Sequence, residues 1–202
     1  PYAFQGLGAK GLDILAGVAG DLGMPIVTEV VTPADVDVVA AKADMLQVGA
    51  RNTQNFALLA EVGRSGKPVL FKRGMSTSVT EFLQAAEYIL SQGNPNVVLC
   101  ERGIRTFETA TRFTLDVGAV PVLKELTHLP VWVDPSHAAG RRSLVTSLAL
   151  AGAAAGADGI IVEVHPRPEE ARSDAAQQLD ADEFAALMAR LGPVVQALGK
   201  SL

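Results

Sequence analysis

Val131-Trp-Val-Asp-Pro-Ser-His137 opens as a β-branched and aromatic run and closes on an imidazole, and Ile160-Ile-Val-Glu-Val-His165 repeats the plan with a carboxylate and a second imidazole. Apolar strands that end in residues able to hold a divalent ion are expected where an α/β barrel delivers ligands to one rim. Ser173-Asp174 follows shortly, so His137, Glu163 and Asp174 are the candidate metal ligands. One imidazole with two carboxylates suits a divalent Mn, Fe, Co or Zn ion better than Ca. His165 shares strand parity with Glu163 and is a rival or supporting group.

Outward from these two runs the same alternation recurs. Short continuous apolar segments, of the kind buried on both faces of a parallel sheet, fall at 25–30, 45–48, 68–72, 97–100, 131–134 and 160–164. Helical patterns fill the intervals at 7–22, 33–42, 52–65, 79–92, 107–126 with a break near Gly118-Ala-Val-Pro121, and 140–156. A last helix over 180–198 starts on the capping pair Asp180 and Glu183 and is expected to kink or restart at Gly192-Pro193. Polar residues follow every strand, at Glu29, Arg51, Lys72, Glu101-Arg102, His137 and Glu163, which favours a barrel's catalytic face over a doubly wound sheet with one phosphate loop. The fold class is therefore α/β, a (β/α)8 TIM barrel. Such a barrel has eight strands and this chain opens on a helix, so the first two strands are expected to be absent and residues 1–202 to form a single, N-terminally incomplete catalytic domain.

Composition narrows the function classes. A net charge of −5 gives no general attraction to nucleic acid or to anionic membrane, so small molecules are the expected partners. Without an apolar run near the roughly 18 residues of a membrane span, or a cleavable leader, the expected location is cytoplasmic. One cysteine, Cys100, excludes an internal disulfide framework and reads as a small buried hydrophobe.

Against that acidic background, Arg51, Lys72 and Arg102 stand at the C-terminal ends of three strands, where a cation has no packing reason to be. Three such charges point to a multiply charged anion, with arginine forks suited to phosphate or carboxylate and a lysine point charge beside them. The plainer alternative is a rim of charges solvated or paired with Glu29 and Glu101. His128, in a turn before Leu129-Pro130, reads as structural. The small-residue stretch at 149–157 reads as a helix packed closely on the sheet, and Gly156-Ala-Asp-Gly159 as a helix end and turn.

Taken in order, Pro1-Tyr-Ala-Phe-Gln-Gly-Leu-Gly8, Gln47-Val-Gly-Ala-Arg51-Asn, Leu70-Phe-Lys72-Arg-Gly-Met75, Leu99-Cys-Glu-Arg102-Gly-Ile-Arg105-Thr, Asp134-Pro-Ser-His137 and Val162-Glu163-Val-His-Pro166 with Ser173-Asp174 cover nearly the whole chain. Together they resemble 3-deoxy-D-arabino-heptulosonate 7-phosphate (DAHP) synthase, type Iβ. The resemblance implies a transferase that condenses phosphoenolpyruvate with erythrose 4-phosphate in a metal-dependent, aldol-like reaction, the first step of the shikimate pathway to aromatic amino acids. It implies that Arg51, Lys72 and Arg102 hold phosphoenolpyruvate, that His137, Glu163 and Asp174 are three of four metal ligands, and that Lys72 and His137 have catalytic roles. A homo-oligomer, dimer or tetramer, is expected with it.

The family's fourth ligand is a cysteine in a Gly-Pro-Cys-Ser segment, and a Lys-Pro-Arg-Thr-Ser segment binds much of both substrates. Neither occurs among these residues. Cys100 lies in the family's own Cys-Glu-Arg-Gly motif and does not replace the ligand. The 202 residues alone are expected to bind metal weakly and to turn over negligibly. Two rival readings follow: the related 3-deoxy-D-manno-octulosonate 8-phosphate synthase, which uses arabinose 5-phosphate, and a non-catalytic barrel fragment.

Overall fold

A computed structural model of the protein describes residue 2 and residues 4–202, so Pro1 and Ala3 of the opening motif lie outside the described residues. The strands are β1 (Val27–Glu29), β2 (Met45–Val48), β3 (Val69–Lys72), β4 (Val97–Glu101), β5 (Val131–Val133) and β6 (Gly159–Ile160), in the sheet order β1-β2-β3-β4-β5-β6. That order, with strands paired in parallel and helices between them, is the pattern of an α/β barrel. The chain divides into two compact units, Pro1–Leu99 and Cys100–Leu202.

In the first unit β1 pairs in parallel with β2, Val27 opposite Met45, and β2 with β3, Leu46 opposite Val69. Every residue of β3 is buried, as expected of a strand covered on both faces. Its helices are α1 (Ala9–Leu22), α2 (Val36–Ala40), α3 (Phe56–Arg64) and α4 (Val79–Leu90). Ser78 accepts from the Glu81 amide while Glu81 accepts from the Ser78 amide, a reciprocal cap that fixes where α4 begins. Phe82, Ala85, Ala86 and Ile89 then fall at helical spacing on its buried face, with Phe82 against Phe71 of β3 at 5.0 Å between ring centres. Two expected helices are shorter than their patterns. Residues 33–35 form a 3-10 turn that runs directly into α2, and α3 begins only at Phe56, after a separate 3-10 turn at 50–52.

In the second unit β5 pairs in parallel with β6, Trp132 opposite Gly159. The helices are α5 (Ala119–Leu126), α6 (Pro135–Ala139), α7 (Arg142–Ala154) and α8 (Ala181–Ala197). α7 is the close-packing small-residue helix that the sequence indicates: a Cβ on Gly152 would stand 2.5 Å from Val133 Cγ2. α8 starts on the Asp180–Glu183 capping pair and runs through Pro193 to Ala197, so the expected restart at Gly192 does not occur. Pro193 lies in the last two turns, where the helix forfeits one amide and keeps its apolar contacts at Leu187 and Leu191.

Two further expectations are corrected here. The helix expected over 107–126 exists only as α5. Residues 104–114 instead form a hairpin-like excursion, with Ile104 bridged antiparallel to Thr114. The cause is local: Glu108 accepts from the Thr109 and Ala110 amides at 2.7 Å each, and Thr106 accepts from the Glu108 amide at 3.2 Å. Side chains that satisfy nearby amides in this way compete with helix. The strand expected over 160–164 is pared to Gly159–Ile160, because the Glu163 amide donates to Ser136 Oγ at 3.1 Å and Glu163 and His165 pair instead with Leu179.

Candidate metal centre and anion-binding residues

Asp134 directly follows β5 and caps α6. One of its carboxylate oxygens accepts from the His137 amide at 3.0 Å, and Pro135 at the first helical position needs no amide partner. Its other oxygen lies 2.8 Å from His137 Nδ1. Asp134 is 1% exposed, so an acceptor fixed at that point holds the proton on Nδ1 and turns the Nε2 lone pair outward. The same five-residue helix therefore sets both the position and the tautomer of the ring.

Nε2 faces Glu163. The two are 3.8 Å apart, Nε2 to Oε1, longer than a hydrogen bond and suited to two donors on one ion. Glu163 Oε2 accepts a short hydrogen bond from Gln177 Nε2, and Gln177 is buried. Burial raises the Glu163 carboxyl above the usual carboxylate range, opposed by the neighbouring His137 ring and the Gln177 amide and reinforced by the charges of Asp174 and Asp134. Asp174 completes the group from a turn in which it is half-buried. Its backbone is left-handed at φ 51°, the one such conformation among the described non-glycine residues, and its Oδ1 accepts from Arg112 Nη1 at 2.7 Å.

One donor atom from each of His137, Glu163 and Asp174 lies within 4.8 Å of the others. Donors of a tetrahedral ion with bonds of about 2.1 Å stand about 3.4 Å apart, so these side chains would draw in by rotamer adjustment to share one. The donor set fits a borderline divalent metal: a neutral imidazole with a fixed tautomer and two carboxylates, each held by a neighbour. His165 is not in this group; its Nδ1 accepts from the Arg167 amide at 3.1 Å.

Arg102, directly after β4, is buried with its guanidinium 4.7 Å from the centre of the Phe113 ring. In the first unit Lys72 is the last residue of β3 and 5% exposed, with Thr53 Oγ1 donating to its carbonyl at 3.0 Å. Arg51 lies exposed in the turn Ala50–Asn52 after β2. Cys100 is buried, His128 is exposed, and Arg142 stands 3.6 Å from Glu183. Asp134, Gln177 and Arg112 were not identified as site residues from sequence. Asp134 carries a readable signal, since an aspartate before a proline and three residues before a histidine is an N-cap placed to reach that ring; the other two carry none. No helix of the described residues is long and apolar enough to cross a membrane.

Comparison with known proteins places the chain among relatives of one family. The model of the DAHP synthetase I family matches residues 1–197. Phospho-2-dehydro-3-deoxyheptonate aldolase of Thermotoga maritima is 54% identical over 98% of the chain and 59% of its own length, and 2-dehydro-3-deoxyphosphooctonate aldolase of Nitrobacter hamburgensis is 33% identical over 93% and 69%. The chain thus spans about three fifths of the length of the Thermotoga relative. A crystal structure of the DAHP synthase from Thermotoga maritima superposes with a TM-score of 0.98 at 53% identity, covering 100% of this chain and 60% of that one. A truncated form of 3-deoxy-D-arabino-heptulosonate 7-phosphate synthase from the same organism gives 0.95 at 52%, covering 98% and 76%.

Proposed function

The chain belongs to the DAHP synthetase I family, and on that premise we propose that it serves the condensation of phosphoenolpyruvate with erythrose 4-phosphate to DAHP and phosphate. The observation that carries the proposal is the convergence of His137, Glu163 and Asp174, in a chain 54% identical to a phospho-2-dehydro-3-deoxyheptonate aldolase. In this reading His137 through Nε2, Glu163 and Asp174 hold a divalent Mn, Fe, Co or Zn ion. When bound, such an ion supplies Lewis-acid polarisation of an aldehyde oxygen.

The remaining work falls to the chain's own groups. Arg51, Lys72 and Arg102 bind phosphoenolpyruvate through its phosphate and carboxylate, the arginines by paired donors and Lys72 as a point charge. C3 of phosphoenolpyruvate bonds to the aldehyde carbon of erythrose 4-phosphate, water adds at C2, and the C2–oxygen bond to phosphate breaks. The fixed cations offset the charge that leaves on phosphate, and Lys72, already buried at the end of β3, needs little reorganisation to do so. Asp134 keeps His137 oriented throughout by holding Nδ1. A single catalytic domain, a homodimer or homotetramer and a cytoplasmic location belong to the same proposal.

The octonate reading is the weaker one, since that relative is 33% identical against 54% for the heptonate enzyme. An assay of phosphoenolpyruvate consumption and phosphate release, on a protein that carries these 202 residues together with the Gly-Pro-Cys-Ser and Lys-Pro-Arg-Thr-Ser segments, separates the readings. Consumption with erythrose 4-phosphate that stops with chelator and returns with Mn²⁺ is expected. Preference for arabinose 5-phosphate, or activity indifferent to chelator, overturns it, and consumption of neither sugar phosphate favours a non-catalytic role.

A further inference from the structure

Arg112 reaches the candidate metal centre from the hairpin at 104–114, and its guanidinium touches the network that holds two of the three donors. Nη1 donates to Asp174 Oδ1 at 2.7 Å and to Gln177 Oε1 at 3.2 Å, and Gln177 in turn donates to Glu163 Oε2. Asp174 is 62 residues further along the chain, so this contact is made by the fold. Arg112 is itself fixed. Its amide donates to the Ala139 carbonyl and the next amide, of Phe113, to the Ala138 carbonyl, at 3.2 and 2.9 Å, which ties the hairpin to the helix that carries His137. A Cβ on Gly140, where φ is +64°, would come 2.5 Å from Arg112 Cβ, so glycine there leaves the approach open.

We propose that Arg112 is a positioning residue of the metal centre: it holds Asp174 and, through Gln177, Glu163 in binding-ready conformations, and thereby sets the affinity for the divalent ion. The inference rests on the metal reading given above and adds a residue to it. Two effects of Arg112 oppose each other. Its positive charge disfavours a nearby cation, while its hydrogen bonds remove freedom from a half-buried aspartate whose left-handed backbone is disfavoured by itself. The side chain is 35% exposed, so solvent screens its charge, whereas the restraint on the donors is not screened. It also occupies only one Asp174 oxygen and leaves the other to bind. Restraint wins on this comparison.

The same hairpin supplies a link to the anion-binding residue. The Phe113 ring has the Arg102 guanidinium 4.7 Å and the Arg112 guanidinium 5.7 Å from its centre. Movement of the hairpin therefore shifts a phosphoenolpyruvate-binding candidate and a metal-positioning residue together.

Titration with Co²⁺ of a protein that carries these 202 residues together with the Gly-Pro-Cys-Ser segment, followed by its visible absorption, tests the proposal. Relative to wild type, Arg112→Ala is expected to weaken Co²⁺ binding about tenfold or more and to alter the absorption bands as a carboxylate donor is lost. Arg112→Lys, which keeps the charge with a single nitrogen, is expected to recover part of the affinity and remains informative if the alanine variant fails to fold. Lys124→Ala, which removes a surface ion pair of the same unit, is expected to change neither affinity nor spectrum. A purely structural Arg112 would lower the melting temperature and leave affinity and spectrum as in wild type, and that result, or tighter binding by either Arg112 variant, overturns the proposal. No Co²⁺ binding by wild type overturns the metal reading as well.

Discussion

Asp158 is the meeting point of Lys124, Lys200 and the Val131 amide, at 2.7, 3.1 and 2.9 Å. Burial alone would raise its carboxyl; the hydrogen bonds from Lys124, Val131 and Lys200, with the Lys124 charge, outweigh burial and hold it below the usual aspartate range. A carboxyl depressed in the folded state contributes stability above its unfolded value, about 3.9, and loses it as pH falls through the lower folded value. Asp158→Asn is therefore expected to cost about 1–2 kcal/mol at neutral pH, with solvent screening already discounted, and the gap from wild type to close in strong acid. Urea denaturation at several pH values checks this, and a gap that widens in acid contradicts it. At this scale the sequence exposes chemistry better than support. His137 and Glu163 are legible as candidates because few structural roles put those groups after apolar strands, and Asp174 because it follows shortly; the structure brings the three together. Arg112 and Gln177 act across long stretches of chain and leave no local pattern.

Elements are legible where capping and periodicity agree. α4 and α8 each open on a reciprocal cap and continue with buried residues at helical spacing, and both were expected within two residues of their observed starts. The 104–114 hairpin failed on composition: threonines and Glu108 draw nearby amides to their own side chains, and the apolar residues that remain keep no helical period. The short β6 failed differently, because Ser136 and Leu179 take over bonding that a longer ladder would have used. α7 carries a sharper test of packing. Gly152→Ala puts a methyl 2.5 Å from Val133 of β5, the strand that leads into Asp134 and His137. Over-packing of this kind is expected to cost about 1–3 kcal/mol, read as a lower urea midpoint, and an unchanged midpoint would mean that α7 moves away freely.

Across the whole molecule, strand and helix alternate in chain order, and that alternation is what made the barrel class readable from sequence. What alternation does not reveal is where chemistry converges. In the second unit, residues 137, 163 and 174 come from a short helix, a strand exit and a 3-10 turn entry, and only folding brings their donors within 4.8 Å. The proposed metal site thus depends on the folded chain, with Asp134, Gln177 and Arg112 each hydrogen-bonded to one of its three candidate donors. Anomalous diffraction from crystals of the protein soaked in Mn²⁺ tests that site directly. The expected result is a peak about 2.0–2.2 Å from His137 Nε2 and from a carboxylate oxygen of Glu163 and of Asp174. A fully soaked crystal with no peak between these three residues, or with Mn²⁺ bound only elsewhere, would contradict it.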